Sequence, residues 1–280
     1  MTARRASSVA IACAVATLVL VLVTLASLAL GSRQIAPEVV WDALVNGGSS
    51  QDAQVVTQLR VPRTLAALVI GGALGLAGSI MQAMTRNPLA DPGVLGINVG
   101  AAFVVVTVTA ATGVTTRMGT LVASLLGAGV AAALVFAVSG SGGGSRSRLA
   151  LAGIAVSAAL ASLTQAVLAA NQFAFNEFRY WASGSLEGVD MASVVAAGAV
   201  IACGGVVAAL ISSALGVLAI GEDTAVSLGV RVRLIRSLGV VAVTALAGGA
   251  TALGGPLTFV GLAVPLLVRR VVGARQGTIA

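Results

Sequence analysis

The chain contains no lysine and no histidine, so all 16 basic residues are arginine. Without lysine it can supply neither a phosphate-loop ammonium nor a Schiff base. Without histidine it has no imidazole base and no histidine ligand for haem or zinc. Charged residues make up 9% of the chain, against roughly a quarter in soluble domains. No nucleic-acid partner is expected. The two cysteines, Cys13 and Cys203, each sit inside an apolar run and read as small buried hydrophobes. The acidic residues are few, and none falls mid-way along an apolar run. Asp91 and Glu177 come closest, each near the end of one. No set of catalytic residues and no metal-ligand set can be assembled from this inventory.

What is abundant is apolar: hydrophobic residues are 58% of the chain. Runs of about 20 such residues cross the hydrocarbon core as helices. The short alternating segments of a β-barrel are absent. The expected fold is all-α, a polytopic transmembrane bundle forming a single domain over 1–280. Eight spans are expected, at about 9–30, 64–84, 94–112, 118–138, 149–170, 191–215, 237–253 and 257–272. The third is short and follows an Asn-Pro break. The eighth is short and carries Pro265. Such helices are tolerated against protein or a wet cavity.

Arginine sets the expected orientation. With the N-terminus in the cytoplasm, the inner loops hold Arg4, Arg5, Arg86, Arg146, Arg148, Arg231, Arg233, Arg236, Arg269, Arg270 and Arg275. The outer loops hold only Arg33, Arg60, Arg63, Arg117 and Arg179. This satisfies the positive-inside rule. It also leaves Arg60 and Arg63 outside against the trend, which makes them functional candidates.

Residues 60–96 are the most informative stretch. A basic opening broken by Pro62 leads into a run containing Gly71, Gly72, Gly75 and Gly78, which ends in Asn87-Pro88-Leu89-Ala90-Asp91-Pro92-Gly93. Gly71 with Gly75 forms a small-xxx-small face for close helix packing, and Gly248, Gly249, Gly254 and Gly255 soften the end of the seventh span. Segment 31–59 reads as an outer loop with one interfacial helix near Trp41. The run Ser141–Ser145 lacks a following Lys-Ser/Thr and reads as a flexible loop. Segment 171–190 gathers Phe173, Phe175, Phe178, Tyr180 and Trp181, either an interfacial aromatic belt or the lining of an outer vestibule. In 216–236, Gly221 breaks the sixth span, Glu222 and Asp223 open a short helix, and Gly229 ends it. A short capped helix there is something a partner protein could grip. Gln82, Gln165 and Asn98 are uncharged polar groups in or at the ends of spans, serving helix–helix hydrogen bonds or the pathway.

Three blocks carry a resemblance. The first is Arg60-Val61-Pro62-Arg63-Thr64-Leu65-Ala66 with Asn87-Pro88-Leu89-Ala90-Asp91-Pro92-Gly93-Val94-Leu95-Gly96. The second is Trp181-Ala182-Ser183-Gly184-Ser185-Leu186. The third is Gly221-Glu222-Asp223-Thr224-Ala225-Val226-Ser227-Leu228-Gly229-Val230 with Gly255-Pro256-Leu257-Thr258-Phe259-Val260-Gly261-Leu262-Ala263-Val264-Pro265. Together they resemble the permease subunits of ABC importers for iron–siderophore complexes, haem and cobalamin, the FecCD/BtuC type. The resemblance implies a multi-pass bacterial cell-membrane protein that is not an enzyme. Its expected partners are the lipid bilayer, a second permease subunit (identical or a paralogue), an extracytoplasmic binding (lipo)protein and ABC ATPase subunits. ATP would act on those ATPase subunits, and no cofactor would bind the chain itself. Arg60 and Arg63 would dock the binding protein. Gly221, Glu222, Asp223, Ala225, Leu228 and Gly229 would form the ATPase coupling helix. Asn87, Pro88, Asp91, Pro92, Gly93 and Gly96 are the signature and helix break. Gln82, Gln165, Trp181 and Ser183 are pathway or vestibule candidates. The cargo would arrive already chelated, with ferric siderophore the first expectation.

Two departures stand out. The family usually has histidine after the proline matching Pro265, where this chain has Leu266. Family members also run on through two further spans to about ten, whereas this sequence stops at Ala280. That implies a truncated copy or an incomplete sequence. Two alternatives follow: an ion-coupled secondary transporter, disfavoured by the lack of intramembrane acids, and a non-transporting remnant of the same family.

Overall fold

The computed structural model describes residues 2–31, 34–47, 50–114, 116–140 and 146–272, apart from the side chains of 2–8, 146–147 and 271–272. Arg33, Arg275, Ala280 and the run Ser141–Ser145 lie outside the described residues. Among the described residues every regular element is helical. Helix α1 covers Thr2–Ala29, α2 Pro37–Asn46 and α3 Gln51–Gln54. A π-helical turn, Val55–Arg60, leads into α4, Val61–Thr85. A 3-10 turn at Pro92–Leu95 precedes α5, Ile97–Thr112. Then come α6 (Arg117–Ser139), α7 (Arg146–Ala170), α8 (Gln172–Ala182), α9 (Met191–Ile220), α10 (Glu222–Ser227), α11 (Val232–Gly254) and α12 (Val260–Val272).

The eight expected spans are helical in the main, the third starting helix only at Ile97 and the eighth only at Val260. Among the described residues six stretches are long and apolar enough to cross a membrane: Val9–Ala29, Gln51–Thr85, Arg117–Ser139, Arg148–Ala170, Met191–Ile220 and Val232–Gly254. Helices α5 and α12, of 16 and 13 residues, are shorter. At 1.5 Å per residue α5 reaches only about 24 Å, less than the ~30 Å hydrocarbon core, and the described part of α12 about 20 Å. Non-helical chain at 86–91 and 255–259 precedes each of them.

Polar side chains set the helix starts. Thr116, Asn171 and Asp190 accept the backbone N–H three residues on, at 3.1, 2.9 and 2.9 Å, which satisfies donors that the first turn leaves orphaned. Pro62 does not break the chain as expected. Proline has no N–H to give, and the hydrogen bonding ahead of it shifts register, with Val61 N–H donating to the carbonyl of Val56. Helix therefore continues from Gln51 to Thr85. The loop between α1 and this helix is correspondingly shorter than expected, and among its described residues α2 is the one separate helix.

Helix α11 sits centrally, packed on α9, α4 and α6. Helices α5, α6 and α7 pack on one another, and α4 also meets α12. Of the apolar window in α11, 72% is buried, against none of that in α1. Glycine lets backbones approach. A Cβ on Gly78 would overlap the backbone of Gly261, and Gly100 and Gly127 abut across α5 and α6. The expected Gly71/Gly75 face is displaced by one turn: nothing lies near Gly71, and the close contacts are at Gly75 and Gly78. Gly248 and Gly249 do not soften α11, which runs on to Gly254; they pack on Ala128 and Ile201. Cys13 and Cys203 are exposed on the bundle's outer surface rather than buried, because thiols are apolar enough to face lipid.

Helices α4 and α11 run antiparallel. Met84 of α4 lies against Gly239 of α11, and Ile70 lies against Gly254. So α10 shares one end of the bundle with the end of α4 and the start of α11. The start of α4, α8 and the end of α11 share the other.

Candidate functional site

At the first end, Gly221 is extended and α10 starts at once with Glu222 and Asp223, where acidic groups suit the helix dipole. Ala225 is fully buried. Its N–H donates to the Gly221 carbonyl at 3.0 Å and its carbonyl accepts from Val230 N–H at 2.9 Å. Gly229 has φ +79°, a conformation that suits glycine. Asp223 is exposed, and so are Val226 and Leu228, at 61% and 65%. Glu222 turns back toward the bundle. Its Oε2 accepts from Arg236 Nη2 at 2.8 Å, and Arg86 Nη2 stands 4.0 Å away.

Arg86 ends α4 in the left-handed region, at φ +49°. Asn87 Oδ1 then accepts from Leu89 N–H at 3.0 Å, and Asp91 Oδ1 from Gly93 N–H at 2.7 Å. Pro88 sits in the turn between them, Pro92 opens the 3-10 turn, and Gly96, at φ +71°, turns the chain into α5. These signature residues build the break. Beside it, Asn98 Nδ2 donates to the Leu257 carbonyl at 3.2 Å, and Thr251 Oγ1 donates to Asn98 Oδ1 at 2.8 Å. This ties the non-helical 255–259 passage to α5 and α11.

At the opposite end, the paired arginines part company. Arg63 is exposed. Arg60, expected to face outward, is instead 9% exposed. Its Nη1 donates to the Leu28 carbonyl at 2.7 Å, on the last turn of α1, and Gly31 lies against its guanidinium. The carbonyls that end a helix lack intrahelical donors, and an arginine satisfies one well.

Near Arg63's end of the bundle lies a cavity of about 190 Å³ between α5, α6 and α8. Phe178, Trp181, Arg117 and Glu187 help line it. The Phe178 and Trp181 rings lie tilted at 39° to each other, with centroids 6.0 Å apart. Trp181 Nε1 is buried with no hydrogen-bond partner among the described residues. Phe173 and Phe175 are exposed instead, so the aromatic cluster divides between cavity and outer surface. The other pathway candidates are not gathered there. Gln165 is exposed on α7. Ser183 Oγ donates to the Tyr180 carbonyl at 2.7 Å. Gln82, 2% exposed, lies toward the α10 end and donates to the Leu262 carbonyl at 3.4 Å.

Asp190 and Glu187 were not singled out from the sequence. Arg117 Nη2 donates to the Glu187 carbonyl at 3.0 Å. The Ser193 hydroxyl and amide, with Arg117 nearby, hold the Asp190 carboxyl below its usual value of 3.8. The available signals were the helix-start position of Asp190 and an outward arginine at position 117. Among the described residues no group of Cys, Asp and Glu is placed to hold a metal ion.

The model of the FecCD transport family matches residues 18–280. The chain belongs to this family. It is 41% identical over 259 residues to the ferric enterobactin transport system permease protein FepD of Escherichia coli, covering 92% of this chain and 78% of FepD. It is 34% identical over 236 residues to the probable siderophore transport system permease protein YfiZ of Bacillus subtilis, covering 84% and 71%. A solved structure, described as an inward-facing conformation of a metal-chelate type ABC transporter, superposes with a TM-score of 0.80 at 26% identity, over 94% of this chain and 82% of that one. The FecCD chain thus has an ABC-permease fold, is a multi-pass membrane protein, and belongs to a family of transporters rather than enzymes.

Proposed function

We propose that this chain is the permease subunit of an ABC importer for ferric siderophores, acting as one transmembrane domain over 1–280. In this reading the N-terminus and α10 face the cytoplasm, where a separate ATPase subunit hydrolyses ATP and grips α10. The distribution of arginines supports that orientation. A binding protein delivers the chelate to the opposite face, where Arg63 is free to meet a carboxylate. A second permease subunit, identical or paralogous, completes the path. The 190 Å³ cavity is smaller than the ~300–1,000 Å³ of ordinary small-molecule pockets, so a path between two subunits suits a bulky chelate better. Relatives named for ferric enterobactin, Fe(3+)-citrate and siderophore transport support the cargo class.

The observation that carries the ATPase assignment is the apolar pair Val226 and Leu228, exposed on a six-residue helix and on the residue that ends it, with Ala225 buried in the bundle. Exposed apolar side chains beside a fixed base are what a partner groove would bury. The test is co-purification of the chain with a co-expressed ABC ATPase. Val226→Asp with Leu228→Asp is expected to release the ATPase while the chain stays monodisperse and helical. Undiminished association in that double variant would sink the reading.

A further inference from the structure

Glu222 stands first in α10, yet its carboxylate points away from the exposed pair Val226 and Leu228. It is held by Arg236 at 2.8 Å and flanked by Arg86 at 4.0 Å, with side-chain exposures of 38%, 17% and 22%. The three residues come from three places: α10, the second turn of α11, and the residue that ends α4. Arg86 is one of two described non-glycine residues with positive φ, a conformation uncommon outside glycine. It sits where α4 turns into the Asn87–Gly96 break, and its guanidinium lies over Gly221.

Without this cluster, α10 would have a weak hold on the bundle. It has six residues, one buried side chain, and glycine at or just beyond each end. A charge-assisted hydrogen bond is the strongest tether available at such a site, and partial burial limits its screening by salt.

We propose that Arg86 and Arg236 are positioning residues that clamp Glu222, so that any displacement of α10 is passed directly to the start of α11 and to the break between α4 and α5. This rests on the reading of α10 as the ATPase-facing helix. On that reading the cluster converts a push on α10 into rigid-body motion of two spans.

The test uses the complete importer in liposomes, with ATPase, binding protein and a ferric siderophore supplied outside. Arg236→Gln is expected to leave the complex assembled and to lower siderophore uptake per ATP hydrolysed by about five-fold or more. Arg86→Gln lowers it less, and Arg236→Lys, which keeps the charge, restores most of it. Wild-type uptake per ATP in an assembled Arg236→Gln complex overturns the proposal. If the wild-type chain retains no ATPase, the reading of α10 fails, and the clamp is then read on the chain alone. Spin labels at Leu89→Cys and Leu228→Cys, with Cys13 and Cys203 replaced by serine, report the spacing of the break from α10. Arg236→Gln, or Arg86→Gln should the first not fold, is expected to broaden that distance distribution. An unchanged distribution overturns the proposal.

Discussion

Arg60 and Arg63 are three residues apart, one helical turn, and would ordinarily share a face. The widened π turn ending at Arg60 separates them: one guanidinium is spent on α1 and the other is free. Their substitutions should therefore act on different quantities. Arg60→Ala is expected to cost about 1.5–3 kcal/mol of stability, the range for a lost charged hydrogen bond, seen as a lower Tm in detergent. It should leave binding-protein affinity unchanged. Arg63→Glu should do the opposite, with unchanged Tm and docking weakened by about 0.2–1 kcal/mol, more at low salt. Equal effects of both on docking affinity would contradict this division. The charge asymmetry between loops pointed to both arginines. It could not show that Leu28, 32 positions earlier in sequence, offers a carbonyl to one of them.

At the scale of elements, close approach between backbones separates glycines that look alike in sequence. Gly71 and Gly78 both lie in α4, yet only Gly78 meets another backbone. Gly78→Ala is expected to cost about 1–3 kcal/mol through overpacking. Gly71→Ala should be neutral, or stabilising by up to about 1 kcal/mol through helix propensity. Thermal unfolding of the purified chain decides between them, and similar losses for both would refute the packing argument. Spans were legible because about 20 apolar residues in a row permit few other structures. The Asn87–Gly96 break was legible because Asn, Asp, Pro and Gly each have a local reason to turn. Which face of α4 meets α12 was not legible, since Gly71/Gly75 and Gly75/Gly78 fit a small-residue pattern about equally well. Pro62 misled because a register shift can carry a helix through a proline.

For the whole molecule, the bundle has two unlike ends, and their sidedness can be measured. Cysteine at Leu228, in a chain without Cys13 and Cys203, should react with a membrane-impermeant maleimide only after right-side-out vesicles are lysed. Cysteine at Trp41 on α2 should react before lysis. The reverse pattern would invert the proposed orientation and remove α10 from the ATPase side. The coupling segment was legible as a short capped helix, from Gly221 through Gly229. The Arg86–Glu222–Arg236 cluster was not, because it joins residues 136 and 14 positions from Glu222 and depends on how α4 and α11 pack. Arg231, Arg233 and Arg236 look equivalent along the chain, and only the fold turns one of them inward.

The chain holds two tryptophans, and they sit in opposite surroundings. Trp41 is 70% exposed, whereas the Trp181 indole nitrogen is buried against the aromatic cavity beside α8. Replacing Trp41 with phenylalanine would leave Trp181 as the single tryptophan, which can be excited selectively over Tyr180 beside it. Its emission maximum and its quenching by iodide would then track water entering behind α8, with no dye attached.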